Sequence, residues 1–240
     1  MKKDQGILMR HHSHYSLEIP QHPIHARSCG FGNKDRRYID PVPILQLYKI
    51  HHDGTKEKSS FRYDHLVVHC DLYADDKDEP RNVVYLSSTP SGGGARHKSI
   101  SNNSTILSLP SQQVMKCLVG TSISNAYELM TPSGEKGVFF IFDDLSIRIE
   151  GQYRLKFQLI DVSLTFPMMI LDTIYSKPFK VYSPKQFPGV CETTELSRCF
   201  ASQGQKIAIR NSKEKEKGEK RLRYNTRIDI SSVIHPPSSP

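Results

Sequence analysis

The sequence predicts an all-β fold, an antiparallel β-sandwich with one or two short helices. Three observations support it. Short segments of alternating apolar and polar residues recur along the chain, turn-forming residues separate them, and a single segment has a persuasive helical pattern. Strands do not alternate with helices as they would around a parallel sheet, so an antiparallel arrangement is expected.

The first half of the chain contains three predicted strands. ILQLYKI at 44–50 is the first, and YDHLVVHCDLY at 63–73 is the second. In the second strand four apolar side chains alternate with more polar ones and define a buried face: Leu66, Val68, Cys70 and Leu72. NVVYLSS at 82–88 is the third, and a loop rich in Gly, Ser and Asn follows it.

The second half repeats the strand pattern. The predicted strands are VMKCLVG at 114–120, GVFFIFDDLSIRIEG at 137–151, QYRLKFQLIDVSL at 152–164, KPFKVYS at 177–183 and KIAIR at 206–210. In the third of these, Tyr153, Leu155, Phe157 and Leu159 share one face. One helix is predicted in TTELSRCFASQG at 193–204, with an N-cap at Thr193 or Thr194 and an end at Gly204.

The net charge of +8 is concentrated in two segments. Residues 1–37 carry seven basic and three acidic side chains, and residues 206–227 carry nine and three, so the rest of the chain is slightly acidic. Such segregation favours a polyanionic partner, nucleic acid rather than membrane, because no basic amphipathic helix is visible. Solubilising tails are the alternative that composition leaves open.

Several classes of protein are not supported. There is no apolar segment of the ~18 residues that cross a bilayer and no signal sequence, so a soluble intracellular protein is expected. Five cysteines without a CxxC pair indicate reduced thiols and neither a disulfide framework nor a zinc site. The known catalytic motifs are absent. Asp143 and Asp144 would point to opposite faces of a strand and so could not bind one metal ion together. Cys199 is interpreted as a packed residue and not as a nucleophile. We therefore expect no enzyme, no metal and no cofactor.

ARSCGFGNKDRRYIDP at 26–41 is a basic loop too irregular for a helix or a strand. Its glycines permit unusual backbone conformations, and Phe31 between them is expected to be buried and to anchor the turn. The loop then presents four cations, Arg27, Lys34, Arg36 and Arg37, to phosphates or base edges. A structural loop with an Asp35–arginine salt bridge is an equally open interpretation.

Three sequence blocks carry a recognisable combined pattern: RSCGFGNKDRRYIDPVP, VFFIFDDLSIRIEGQYRLKF and SKPFKVYSPKQFPGVCETTELSRCFASQGQKIAIR. In this order and with these gaps they resemble the signature of the fungal velvet-domain regulators. The resemblance implies an immunoglobulin-like β-sandwich similar to the Rel-type DNA-binding domain, which forms homodimers or heterodimers with other velvet proteins. It also implies a nuclear protein, with cytoplasmic shuttling, that controls development, sporulation and secondary metabolism.

The resemblance also assigns candidate residues for contact with double-stranded DNA. Lys34, Arg36 and Arg37, together with Arg27, match the DNA-facing loop. A second basic block, Lys185, Arg198, Lys206 and Arg210, matches basic positions of a later motif, for which DNA contact, packing and dimer contact are all open. The chain departs from the family pattern at Tyr38, Val42 and Ala208, where proline is usual, and it has no tryptophan.

The expected organisation is a flexible arm at 1–15, a velvet-type domain at 16–212 with a mobile loop at about 88–106, and a disordered basic tail at 213–240. The tail is either a solvated mixed-charge segment or a nuclear-localisation signal formed by Lys213, Lys215, Lys217, Lys220, Arg221 and Arg223. The rival to a DNA-binding regulator is an interaction module that pairs with other velvet proteins or a methyltransferase-like regulator without touching DNA.

Overall fold

The computed structural model describes residues 14–31, 36–86, 113–163 and 169–210, which form fifteen strands and one helix. The strands of the first half are β1 His14–Gln21, β2 His25–Arg27, β3 Ile44–Ile50, β4 Lys56–Glu57, β5 Leu66–Ala74 and β6 Val83–Leu86. Those of the second half are β7 Gln113–Lys116, β8 Leu118–Val119, β9 Ile123–Asn125, β10 Tyr127–Met130, β11 Lys136–Ile141, β12 Ser146–Ile147, β13 Gly151–Asp161, β14 Met169–Tyr175 and β15 Phe179–Tyr182. The helix, α1, is Glu195–Ser202. No helix in these ranges is long and apolar enough to cross a membrane.

Two sheets form the body of the protein. One has the order β1-β3-β11-β10, with β4 beside β3, and the other has the order β2-β15-β13-β5-β9, with β14 beside β13. Two short pairs, β12-β8 and β6-β7, complete the described strands. Strand pairing among them is antiparallel apart from β2, which lies parallel to β15. The prediction of an all-β sandwich with a short helix is confirmed.

The main core lies between the two sheets and contains the alternating residues of the long strands. The inward faces of β5 and β13 carry the two sets named from the sequence, and both are buried as predicted. β11 differs because it is buried on both sides. Val138 and Phe140 face the main core, whereas Phe139 and Ile141 enter a second cluster with Phe200 of α1. Because a strand covered on both faces is apolar throughout, the burial of β11 explains its sequence GVFFIF.

The helix α1 begins where the sequence predicts. Thr194 is the N-cap, and its Oγ1 accepts a hydrogen bond from the Ser197 amide over 3.1 Å. Gly204, with φ near +94°, follows the end of the helix. The ring of Phe200 packs against Phe139 at 4.7 Å between centroids, so α1 covers the outer face of β11.

The strand predicted for KIAIR is wrong. Residues 206–210 contain no strand, because their main-chain groups bond locally and to side chains instead of to a neighbouring strand. The amide of Arg210 donates to Thr193 Oγ1 over 2.8 Å, and Ile207 fills the second cluster. Of the two isoleucines that give the alternating pattern here, Ile207 is buried and Ile209 is exposed.

The number of strands is also larger than predicted. β1 begins at His14, within the segment expected to be a flexible arm, and β2, β4, β9, β10 and β14 have no counterpart among the predicted strands. The remainder of the arm, the expected loop at 88–106 and the tail at 213–240 lie outside the described residues.

Candidate nucleic-acid interface

The basic loop begins and ends at a single pair of residues. His25 and Asp40 exchange main-chain hydrogen bonds of 3.0 and 2.9 Å, so the chain leaves β2 and returns to it after Ile39. This pairing closes the loop at its base. The tip at 32–35, which includes Lys34, lies outside the described residues.

Both flanks of the loop are bonded to the sandwich. The amide of Ser28 donates to Tyr182 at the end of β15, and the amides of Cys29 and Gly30 donate to the carbonyls of Ile147 and Arg148 over 2.9 and 3.1 Å. On the return side, the Ile39 amide donates to Leu145 over 2.8 Å. Gly30 has φ near +57°, a conformation that glycine adopts without steric cost. Four main-chain bonds therefore fix the loop between β15 and β12.

Phe31 does not anchor the turn by burial, as the sequence suggested. Its side chain is 42% exposed, and the guanidinium of Arg148 lies over its ring at 5.8 Å. Arg148 Nη1 donates to the Gly30 carbonyl over 2.8 Å, and its Nε donates to Lys116 over 3.0 Å. Arg148 thus holds the loop, a function that sequence reasoning missed. Its position just after β12 carries no local signal of a partner more than one hundred residues earlier.

Arg36 is a second anchor of the loop. Its Nη2 donates to the main-chain carbonyl of Asp144 over 2.6 Å and lies 3.9 Å from the Asp144 carboxylate. The same carboxylate accepts hydrogen bonds from the amide and hydroxyl of Thr121. Arg36 also stacks over the ring of Tyr38 at 5.7 Å. Part of its positive charge is compensated locally, so its described contacts hold the loop in place.

Two other predicted cations of the first block, Arg37 and Arg27, lie beside this loop. Arg37 is exposed beside Arg36, and Arg27 at the end of β2 is half-buried opposite Tyr182 of β15. Lys185 lies three residues beyond Tyr182, in an exposed turn closed by a bond from the Gln186 amide to Ser183. The structure therefore brings Lys185 to the same end of the sandwich as Arg27.

Two of the remaining residues of the second basic block form ion pairs with carboxylates. Arg198 lies 3.5 Å from Glu192, and Arg210 Nη1 lies 3.0 Å from Asp40 Oδ1. Lys206 faces Asp143 across a cleft that Tyr38 also lines. Burial raises the pKa of Asp143, Asp144 adds to the increase, and Lys206 opposes it. Arg198 and Arg210 are therefore paired within the fold, whereas Lys206 shares a cleft with Asp143 without a direct ion pair among the described residues.

A groove of about 330 Å³ opens beside the loop. Its lining includes Lys116 and Arg148 on one side and His69 and Asp71 on the other. Asp71 is held by Asn82, whose Nδ2 donates to it over 2.7 Å, and it lies 3.3 Å from His69. The cationic side of this groove extends the basic surface of the loop towards β7.

The described residues also test two smaller expectations. The five cysteines, all within the described residues, are free in the structure. Asp143 and Asp144 follow β11 instead of lying on a strand, and they have separate partners. One group of three metal-ligand types does come together, His25, Asp40 and Cys191.

Comparison with known proteins gives a consistent result. The Velvet factor family matches residues 15–214. "Sexual development regulator umv3" of Mycosarcoma maydis is 34% identical over 84% of this chain and 46% of its own length. "Velvet complex subunit 2" of Gibberella moniliformis is 29% identical over 82% of this chain and 61% of its own length.

A further relative, "Spore development regulator RYP2" of Ajellomyces capsulatus, is 32% identical over 82% of this chain and 43% of its own length. The chain thus spans about half the length of the curated relatives it matches. Their names describe regulators and complex subunits, not enzymes. The family match covers nearly all of the described sandwich and its basic loop, and this chain belongs to the Velvet factor family.

Proposed function

We propose that this chain is a nuclear velvet regulator that binds double-stranded DNA as a homodimer or heterodimer and controls fungal development, sporulation and secondary metabolism. The names of its relatives, regulators of sexual and spore development, support the developmental role. The DNA-binding role rests on the basic loop.

The observation that carries the DNA-binding role is the attachment of this loop on both flanks. Four main-chain bonds, Arg148 and Arg36 hold it against the sandwich. Flanks that are held in place before binding lose little conformational entropy when the loop meets the duplex. Its exposed arginine, Arg37, is suited to a bidentate contact with a phosphate or a guanine edge.

The predicted DNA contacts fall into two groups by their position in the fold. Arg27, Arg37 and Lys185, at the end of the sandwich that carries the loop, form the proposed contact surface together with Lys34 of the loop sequence, and Arg148 and Lys116 extend it along the groove. Arg198 and Arg210 each form an ion pair with a carboxylate, and Lys206 lines a cleft with Asp143, which favours packing or dimer contact for these three residues. Arg36 acts on DNA through the position of the loop.

Fluorescence anisotropy with labelled duplex DNA tests this proposal. Arg37→Ala is expected to weaken binding and to lower the slope of log K against log salt by about 0.9, the contribution of one phosphate contact. Arg62→Ala is the matched control, because it removes the same charge from an exposed arginine paired with Asp64 in the segment between β4 and β5. Equal effects of the two substitutions would show general electrostatics instead of a loop contact.

An interaction module without DNA contact is the second candidate function. Relatives named as velvet complex subunits favour it, and Val162, Met169 and Ile170 expose apolar side chains at the ends of β13 and β14. Such side chains suit association with another velvet protein or a methyltransferase-like regulator. If neither the homodimer nor a reconstituted heterodimer binds DNA in low salt, this second function replaces the first.

Nuclear import is proposed to use the basic residues between Lys213 and Arg223. Replacing these six cations with Gln in a fluorescent fusion of the chain should shift the protein from the nucleus to the cytoplasm. An unchanged nuclear signal would place the import signal elsewhere or on a partner.

A further inference from the structure

We propose that His25, Asp40 and Cys191 form a binding site for Zn²⁺ at the base of the basic loop. This site goes beyond DNA binding, and it was not expected from the sequence, where the three residues lie far apart and no CxxC pair occurs. The fold brings one imidazole nitrogen, one carboxylate oxygen and one thiol sulfur within 4.8 Å of one another.

The distances between these atoms fit a tetrahedral metal. Ordinary Zn–N, Zn–S and Zn–O bond lengths separate a ligating nitrogen from a sulfur by about 3.6 Å and from an oxygen by about 3.4 Å. Here His25 Nε2 lies 3.6 Å from Cys191 Sγ and 3.8 Å from Asp40 Oδ2. A movement of about 0.4 Å by the carboxylate brings its oxygen to the zinc-ligand spacing from His25. The Cys191 sulfur and an Asp40 carboxylate oxygen lie within 4.8 Å of each other.

The three ligands are already held in place by the fold. His25 and Asp40 are joined by two main-chain hydrogen bonds, and the Cys191 amide donates to Asp40 Oδ2. Arg210 occupies the other carboxylate oxygen, Oδ1, at 3.0 Å. A hydrogen bond of this kind orients a ligating carboxylate and leaves Oδ2 directed at His25 and Cys191.

The surroundings of the cluster suit a borderline divalent ion. The rings of Phe187 and Tyr182 meet His25 edge-on at 5.3 and 6.2 Å, and the side chains of His25 and Asp40 are only 14% and 10% exposed. A thiolate, a carboxylate and Zn²⁺ are neutral together, so the added charge of Arg210 is tolerated. Sulfur and imidazole ligands select Zn²⁺ over Mg²⁺ or Ca²⁺, and a water molecule would supply the fourth ligand.

Bound zinc would join three separate parts of the chain. His25 and Asp40 are the two ends of the basic loop, and Cys191 precedes α1. The metal would thus fix the base of the loop to the segment that leads into the helix. Zinc is expected to stabilise the protein, because it binds the three ligands where the fold brings them together and not in the unfolded chain, where they lie apart.

Cobalt is the probe for this site, since a Co²⁺–thiolate bond gives a charge-transfer absorption band. The full, reduced and chelator-treated chain should develop this band at one Co²⁺ per chain, and Zn²⁺ should abolish it by displacement. Cys191→Ser should remove the band and weaken Zn²⁺ binding at least tenfold, because even residues that only support a ligand change affinity by about 10–100-fold. The histidines at 11, 12 and 14 carry no thiol, so they cannot produce this band.

Cys199→Ser is the matched control, because Cys199 is also partly exposed and lies on α1 outside the cluster. It should keep the band and the zinc-dependent rise in melting temperature, whereas Cys191→Ser should lose both. His25→Gln provides a second test that leaves the thiol in place and should weaken zinc binding by a similar factor. A chain without the band, or a band that survives in folded Cys191→Ser, would overturn the proposal. No DNA enters these measurements, so their outcome is independent of the proposed function.

Discussion

The guanidinium of Arg36 donates a 2.6 Å hydrogen bond to the main-chain carbonyl of Asp144, a residue 108 positions away in the chain. This contact ties the basic loop to the turn that follows β11. Arg37, the next residue, is exposed at the loop surface. Two adjacent arginines thus have different surroundings, and their substitutions should have different effects.

Arg36→Ala is expected to lower the free energy of unfolding by about 1–3 kcal/mol, because it leaves the Asp144 carbonyl without its charged donor. Arg37→Ala should lower the free energy of unfolding by less than Arg36→Ala does, because Arg37 is exposed to solvent and its contacts there are weaker. Chemical denaturation of both variants measures this difference. Equal destabilisation would show that Arg37 also supports the fold.

Gly120→Ala should be strongly destabilising. Gly120 has φ near +118°, and an added Cβ would lie 2.4 Å from the Asp144 carbonyl oxygen and 3.0 Å from Arg36 Nη2. We expect the substitution to lower the free energy of unfolding by more than about 2 kcal/mol, because it combines backbone strain with a clash against the main chain. Gly54→Ala is the control, because Gly54 has φ near +81° but open space around it. If the two variants are equally stable, the close contact beside Arg36 is not rigid.

Thr194→Ala should lower the free energy of unfolding by about 1 kcal/mol, because it removes the N-cap of α1. Thr194 also donates to Gln21 Oε1 over 2.5 Å, and Gln21 Nε2 donates to Ser197 Oγ and to the Val42 carbonyl. A double-mutant cycle with Gln21→Ala should therefore give a coupling energy between about 0.5 and 3 kcal/mol. Ser202→Ala, near the exposed end of the helix, is the control. Additive effects at Thr194 and Gln21 would contradict a shared network.

Asp143→Asn should make the protein more stable at neutral pH. Burial raises the pKa of Asp143, so the folded state binds the proton more tightly than the unfolded state does. Stability is therefore lost as pH rises from the usual aspartate value through the raised pKa. The advantage of the variant should vanish in acid, below the ordinary pKa of aspartate.

Asp53→Asn should change the pH dependence of stability in the opposite direction, so it serves as the control. Hydrogen bonds from Thr55 lower the pKa of Asp53. The ionised Asp53 carboxylate therefore stabilises the fold above the ordinary aspartate pKa, and this stabilisation disappears as pH falls through the lowered pKa. Thermal unfolding between pH 3 and pH 7 separates the two cases. A fall in the stability of Asp143→Asn at neutral pH would mean that its attraction to Lys206 outweighs the cost of burial.

The sequence by itself determined the class of fold, the chemistry of the basic loop and the family. β3 has the predicted bounds, the buried faces of β5 and β13 are the predicted ones, and α1 begins after the predicted cap at Thr194. These features depend on side-chain periodicity and on a capping residue a few positions away. Local signals of this kind are contained in the sequence.

The tertiary structure decided everything that depends on residues far apart in the chain. Nothing near Arg148 indicates its bond to Gly30, and nothing near Cys191 indicates His25 or Asp40. The KIAIR segment has strand-like alternation, but none of the strands in the described part of the chain pairs with it. Periodicity reports which face of a segment is buried. The folded chain alone determines what covers that face and which distant side chains meet at the base of the loop.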